Sequence, residues 1–380
     1  MMIDRREMLK MTGGVAALMA VGSLPRRARA ARANELNILC WEGYNTDDVL
    51  DPFRRAHPGA KVSAESGTSD PDMINKLRAG EVNVWDLINV NQPWARGQLY
   101  PEGLIKPLDR NQFEHYFDTF LKWFRGPYPY ALDASGKELI GMAQRFGPFS
   151  FVVNTNKISR GTAEDQGFKV FLDPKLKGRY GVLTYDNWNI MHMCITADID
   201  PFKKHSEAEF AAYEAVARKI FKGAKFLSDD LVAMNTALVN GEIDAYFTGG
   251  TYTASPARFD GETQVRGITP KSGPINGKGG IVWAEVTSLV NNPNPSPLAP
   301  AFLDYVHQPE TCKRVAFAEG TYNPIADLGN PEVFAKFNKE ELDAIQWDSL
   351  EEEMVNSVDF SINPDFDRML SIYNTAKREA

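Results

Sequence analysis

An α/β fold, with mostly parallel sheets flanked by helices and shared between two domains, follows from three features of the 380-residue sequence. Short apolar strands and amphipathic helices alternate from Leu36 onward. Helical segments join the strands, and successive strands joined in this way pair in parallel. The same alternation starts again after Gly147, and about 347 residues remain once an N-terminal leader is set aside, too many for one ordinary core.

The first region reads β-α-β-α-β. Leu36 to Trp41 is a strand. Thr46 and Asp47 start a helix with Val49, Leu50, Phe53 and Ala56 on one face, and His57-Pro58-Gly59 stops it. Ala60 to Glu65 is a second strand, Asp70-Pro71 opens a helix running to Gly80, and Val84 to Val90 is a third strand. In the second region Phe149 to Val153, Gly181 to Tyr185, Lys225 to Leu227 and Ile243 to Phe247 read as strands. A long helix runs from Glu207 to Phe221 and a shorter one from Val232 to Asn240, with Gly223 and Gly241 at their ends. "GITPKSGPINGKGG" is a connection, "IVWAEVTSLV" a strand, and a Pro-rich turn leads into a helix over Ala301 to Val306. Parallel sheets bind ligands beyond the carboxyl ends of their strands, which makes Trp41, Glu42 and Tyr44 crevice candidates.

Residues 1–33 read as a twin-arginine signal peptide: Arg5-Arg6 precedes an uncharged run from Met11 to Leu24, followed by Ala28-Arg29-Ala30 and Ala31-Arg32-Ala33 as cleavage options. The apolar run is about half of the ~20 residues a membrane span needs, so the expectation is a periplasmic protein without stable membrane insertion. The leader carries seven Lys/Arg and two Asp/Glu, which leaves 35 basic against 48 acidic residues, a net charge of −13. That balance argues against nucleic acid and anionic membranes as partners and is compatible with a small organic cation. Cys40, Cys194 and Cys312 are odd in number and widely spaced, so they imply no disulfide framework.

In order and spacing, "LNILCWEGY", "MINKLRAGEVNVWDLINV", "YPEGLIKPLD", "LKGRYGVLTYD", "LVNGEIDAYF", "GGIVWAEVTSLV" and "FAEGTYNPIAD" resemble the periplasmic spermidine/putrescine-binding proteins of ABC importers. The resemblance covers nearly all of the chain after the leader. It implies a two-lobed type II periplasmic binding protein, monomeric and not an enzyme, with a ligand cleft between lobes and an ABC transporter permease as partner. Lobe 1 would comprise 34–144 plus 282–334, and lobe 2 145–281 plus 335–380. The family's ligand-binding positions fall on Trp41, Glu42, Tyr44, Asp186, Trp283, Glu285 and Tyr322. Two departures matter: Asn189 stands where polyamine binders place a second carboxylate, and Gly249 where they place a Trp.

The chemistry of those residue types suits a polyamine or related organic amine. Glu42, Asp186 and Glu285 could meet ammonium groups through charge-assisted hydrogen bonds, while Trp41, Tyr44 and Trp283 could face the cation and its methylenes. Isolated tryptophans are more often core than ligand contacts. Tyr252 and Tyr322 divide evenly between lining and packing. A carboxylate-bearing ligand, amino-acid-like or opine-like, would need an Arg such as Arg145 instead. An exported enzyme on the same scaffold is the remaining alternative. No catalytic residues, cofactor or metal site are expected: G-x-S-x-G, H-E-x-x-H and P-loop patterns are absent, and Met191-His192-Met193-Cys194 lies on a helix whose alternate residues diverge.

Overall fold

The computed structural model describes residues 32, 34–126, 128–318 and 320–380; apart from Arg32, the expected leader lies outside them. Among the described residues thirteen strands appear in chain order: β1 Glu35–Cys40, β2 Lys61–Ser66, β3 Leu87–Asn91, β4 Ile105–Lys106, β5 Met142–Asn154, β6 Tyr180–Leu183, β7 Phe226–Ser228, β8 Ala245–Gly250, β9 Val265–Ile268, β10 Gly280–Val290, β11 Phe317–Ala318, β12 Thr321–Tyr322 and β13 Ser357–Asp359. Eleven form one mixed sheet with the backbone order β2-β1-β3-β10-β5-β8-β6-β7, β4 and β13 pairing with β10 and β9 with β5. The first three strands are mutually parallel, as are β6, β7 and β8. The two sets are joined through the long antiparallel pair β5 and β10. This is a mixed α/β architecture of the type II periplasmic-binding-protein kind.

Alternation along the strands assigns the cores. Leu36 and Ile38 pack with Phe53, Phe117 and Phe302 on one face, while Leu39 packs with Met73, Ile88 and Val286 on the other. In the second half Phe151 joins Phe171, Tyr213 and Tyr373, whereas Val152 joins Leu183, Met234 and Tyr246. The clusters therefore change over along β5, between Phe146 and Phe151. Phe337, Ala344 and Ile345 share a further cluster with Cys312 and Ile325, so the expected lobe boundary at 334/335 runs through one packed unit.

The helices Asp47–Ala56 and Asp70–Arg78 occupy the expected places, the latter capped by Ser69, whose side chain accepts from the Asp72 amide. Glu207–Gly223 begins in a capping box made by Ser206 and Glu209. Three differences stand out. The third strand starts three residues later than its apolar run suggests, because Glu81–Asn83 takes a 3-10 turn. The strand expected at Phe149 is the second half of a 13-residue strand, every residue of which is buried. Two short strands, β9 and β13, complete the edges of the long pair where the sequence carries little alternation.

Candidate functional site: the crossing of the long strands

The site is built around an irregularity in β5 and β10. Their register shifts between Ala284 and Val286, so that both Gln144 and Arg145 stand opposite Glu285. Such a bulge bends the strand and re-aims side chains. Here it lets Arg145 grip Glu285 through two bonds, Nε to Oε2 at 2.9 Å and Nη2 to Oε1 at 2.6 Å. The hydroxyl of Tyr44 donates to the same Oε2 at 2.9 Å, and the guanidinium carbon lies 4.6 Å from the centre of the Tyr44 ring. All three residues are about 3% exposed. Burial pushes the Glu285 carboxyl up, with Arg145 and Tyr44 pulling it back. Burial likewise disfavours the Arg145 cation, but Glu285 and Tyr44 more than offset this and hold it protonated.

Glu42 behaves differently. Gly43, with φ of +99°, takes the left-handed conformation that favours glycine and turns the chain between Glu42 and Tyr44. The Glu42 carboxylate accepts the Tyr252 hydroxyl at 3.2 Å, a contact from the loop after β1 to the first turn of the helix Thr251–Phe259 after β8. It makes no ion pair among the described residues. Tyr252 stands edge-on to Trp283, with ring centres 6.4 Å apart, and the Trp283 indole lies over Gly147, where a Cβ would come within 3.5 Å of Nε1. Tyr185, which caps the start of the helix Asp186–Thr196, lies near enough to Glu42 and Tyr252 for both to act on its phenol. Its phenol is raised by burial and then by the charges of Glu42 and Asp229. Trp41, Glu42, Tyr185, Tyr252 and Trp283 are all part-exposed, so they form the accessible layer above the buried Arg145–Glu285–Tyr44 unit.

A further buried carboxylate, at the start of the helix after β2, ties that helix to the end of β3. Asp70 accepts the Asn91 amide at 2.9 Å and its side-chain nitrogen at 2.8 Å. Burial raises its carboxyl to about 6, against the opposing pull of Asn91.

The structure thus brings together Trp41, Glu42, Tyr44, Trp283 and Glu285, but gives them unequal roles. Glu285 and Tyr44 are spoken for by Arg145, which the sequence reading reserved for a ligand carboxylate. Asp186 is turned elsewhere: its Oδ1 lies 3.6 Å from Lys377 Nζ, and its charge bears on the phenol of Tyr373, both on the helix Phe366–Arg378. Asn189 points the same way, donating to Tyr373 and to the Leu183 carbonyl. Tyr322 also stands apart, between Phe259 and Phe317 with ring centres 4.8 Å from each, beside a surface cavity of about 290 Å³ lined by Asp48, Lys313 and Arg314. The residue sequence reasoning passed over is Tyr185. It comes after β6, a strand of the parallel set, so position at a strand's carboxyl end was the available signal.

His192 is fully buried, with Nδ1 2.8 Å from Thr248 Oγ1 and Nε2 3.1 Å from the Phe149 carbonyl oxygen, and burial depresses its pKa to about 3. Cys194 turns instead to Met369, 3.5 Å from its sulfur, so the soft side chains of this helix diverge. No group of three or more His, Cys, Asp or Glu suited to a metal occurs among the described residues, and no described helix is long and apolar enough to cross a membrane. The three cysteines are free and buried.

The class defined by this arrangement is a type II binding-protein fold with its candidate site where the long strands cross. Among solved structures, the chain is similar to the spermidine/putrescine ABC transporter substrate-binding protein PotD of Streptococcus pneumoniae, in complex with calcium and HEPES, at 14% identity. The match covers 90% of this chain and 99% of that one, with a TM-score of 0.63. It is similar to the TpPotD lipoprotein of Treponema pallidum at 14% identity, covering 91% and 98%, with a TM-score of 0.64. The PBP MotA of A. tumefaciens B6, in complex with glucopine, matches at 13% identity over 90% and 99%, with a TM-score of 0.62. No protein-family model and no curated protein matches the chain. At these identities the likeness establishes the fold.

Proposed function

We propose that the protein is the periplasmic substrate-binding component of an ABC importer, a monomeric carrier and not an enzyme. It captures a polyamine or related small organic amine between two lobes and delivers it to a membrane permease. The lobes are those expected from the sequence, 34–144 plus 282–334 and 145–281 plus 335–380, with Phe337, Ala344 and Ile345 packed across the last boundary. One observation carries the reading: Glu42 is a part-exposed carboxylate without an ion-pair partner among the described residues, bridged by Tyr252 from the opposite half and neighboured by Tyr185 and Trp283. A carboxylate beside aromatic faces is the complement of an alkylammonium group.

The opine-like reading is favoured by the cation Arg145 in the same crossing, alongside the glucopine complex of MotA. Arg145 is 3% exposed and held by Glu285, so a ligand carboxylate would first have to displace an internal one. That cost favours the amine.

Calorimetry with spermidine, putrescine and glucopine decides between them. The amines are expected to bind, with Glu42→Gln weakening them by about 1.5–3 kcal/mol, the usual worth of a hydrogen bond to a charged group. Preference for glucopine, or amine binding that ignores Glu42→Gln, overturns the proposal.

A further inference from the structure

Asp86 is a carboxylate kept away from solvent. It precedes β3, and its side chain is fully buried. Two backbone amides point at it, Asn37 to Oδ2 at 3.0 Å and Ser296 to Oδ1 at 3.0 Å, so it ties β1 to the Pro-rich turn after β10. Backbone amides hydrogen-bond a carboxylate but leave its full negative charge uncompensated, and an unpaired buried charge is costly. The compensating cation is Arg32. Its Nη2 lies 2.7 Å from Asp86 Oδ1, and the guanidinium also reaches the carbonyl oxygens of Asn83 at 3.3 Å and Val84 at 3.4 Å. The Arg32 side chain is itself only 17% exposed. It has a seat on the folded domain, with a charge partner and two carbonyl acceptors.

Arg32 belongs, however, to the stretch read as the end of an export leader. Two small-residue cleavage sequences lie there, Ala28-Arg29-Ala30 and Ala31-Arg32-Ala33. Cutting after Ala33 discards the counter-ion of Asp86, whereas cutting after Ala30 keeps it as the second residue of the mature chain. We propose that a signal peptidase hydrolyses the Ala30–Ala31 peptide bond. Water supplies the hydroxyl of the new Ala30 carboxyl group and a proton to the new Ala31 amine, and Arg32 stays on the mature protein as the partner of Asp86. The proposal rests on the leader reading and is independent of which solute is bound.

Two measurements test it. Intact-mass analysis and N-terminal sequencing of the protein exported by its native host are expected to give Ala31 as the first residue. A first residue of Asn34 overturns the proposal and leaves the leader reading standing, while an uncleaved Met1 overturns both. The second measurement compares chains beginning at Ala31 and at Asn34. The longer form is expected to melt several degrees higher, and the difference is expected to vanish when both carry Asp86→Asn. Equal melting of the two unsubstituted forms, or a difference that persists with Asp86→Asn, removes Arg32 as the counter-ion and with it the reason for the cut at Ala30.

Discussion

Replacing Arg145 by Met is the perturbation that most directly tests how the crossing of β5 and β10 is held. The guanidinium and the Glu285 carboxylate meet through two hydrogen bonds, and both side chains are almost fully buried. With charge centres about 4 Å apart and an effective dielectric of about 20, their attraction is about 4 kcal/mol. Removing one partner strands the other, which places the loss at about 3–5 kcal/mol. Tyr44 keeps one bond to Glu285 and moderates the cost towards the lower end. Arg145→Met and Glu285→Leu are each expected to cost about 3 kcal/mol or more, and the double variant no more than either alone, because it removes both charges and leaves apolar side chains beside the Phe146–Ala284 pair. The control is the pair Arg54–Asp51, whose side chains are 33% and 47% exposed, with an expected coupling of about 0.2–1 kcal/mol. Urea unfolding followed by tryptophan fluorescence, arranged as a double-mutant cycle, measures both. A coupling at Arg145–Glu285 no larger than that of the surface control refutes the buried unit and frees Glu285 for a ligand.

The same geometry sets three further outcomes. Asp186→Asn is expected to leave amine affinity within about 0.5 kcal/mol of the parent, in line with a substitution away from the contact, while lowering stability slightly through Lys377 and Tyr373; a loss comparable to that of Glu42→Gln in calorimetry puts Asp186 back at the ligand. Asp70 has a folded-state pKa of about 6, above its ordinary value, so the folded form binds its proton first and this group favours folding below pH 4, losing that contribution as pH rises through 6. The stability of the parent relative to Asp70→Asn is therefore expected to fall between pH 4 and 6 by up to about 3 kcal/mol, and a flat difference in chemical denaturation across that range contradicts the assignment. Tyr252→Phe removes the hydroxyl that joins the two halves at Glu42, and solution scattering is expected to show a larger radius of gyration for it without ligand; an unchanged curve denies Tyr252 that role.

Much of the fold was legible because its signals are local. Phe53 and Val49 share a helical face, Leu36 and Ile38 alternate with Leu39, and Gly223 ends its helix, so periodicity and caps were enough to place the parallel strands. The site was legible only as a neighbourhood. Trp41 and Glu42 are candidates from their position after β1, because ligands of parallel sheets bind beyond the carboxyl ends of the strands. Glu285 could be read as an acid near the same place, yet its role depends on a bulge that sets Arg145 opposite it from 140 residues away, and no local pattern announces a two-for-one register shift.

Asp186 shows how a strand-end position leaves direction open. It occupies the strand-end position that made it a strong candidate, but the first turn of a helix offers two directions, and the choice is made by Lys377 and Tyr373 almost two hundred residues downstream. The neighbouring Tyr185, one residue earlier and therefore on another side of the turn, takes the place near Glu42 and Tyr252. A strand's end thus fixes which residues reach a crevice to within one or two positions, and charge partners elsewhere decide which of them remains free for a ligand. By that criterion a carboxylate with an internal cation, as at Glu285, belongs to the framework. One whose bond is to a phenol, as at Glu42, is the carboxylate we propose for the ligand.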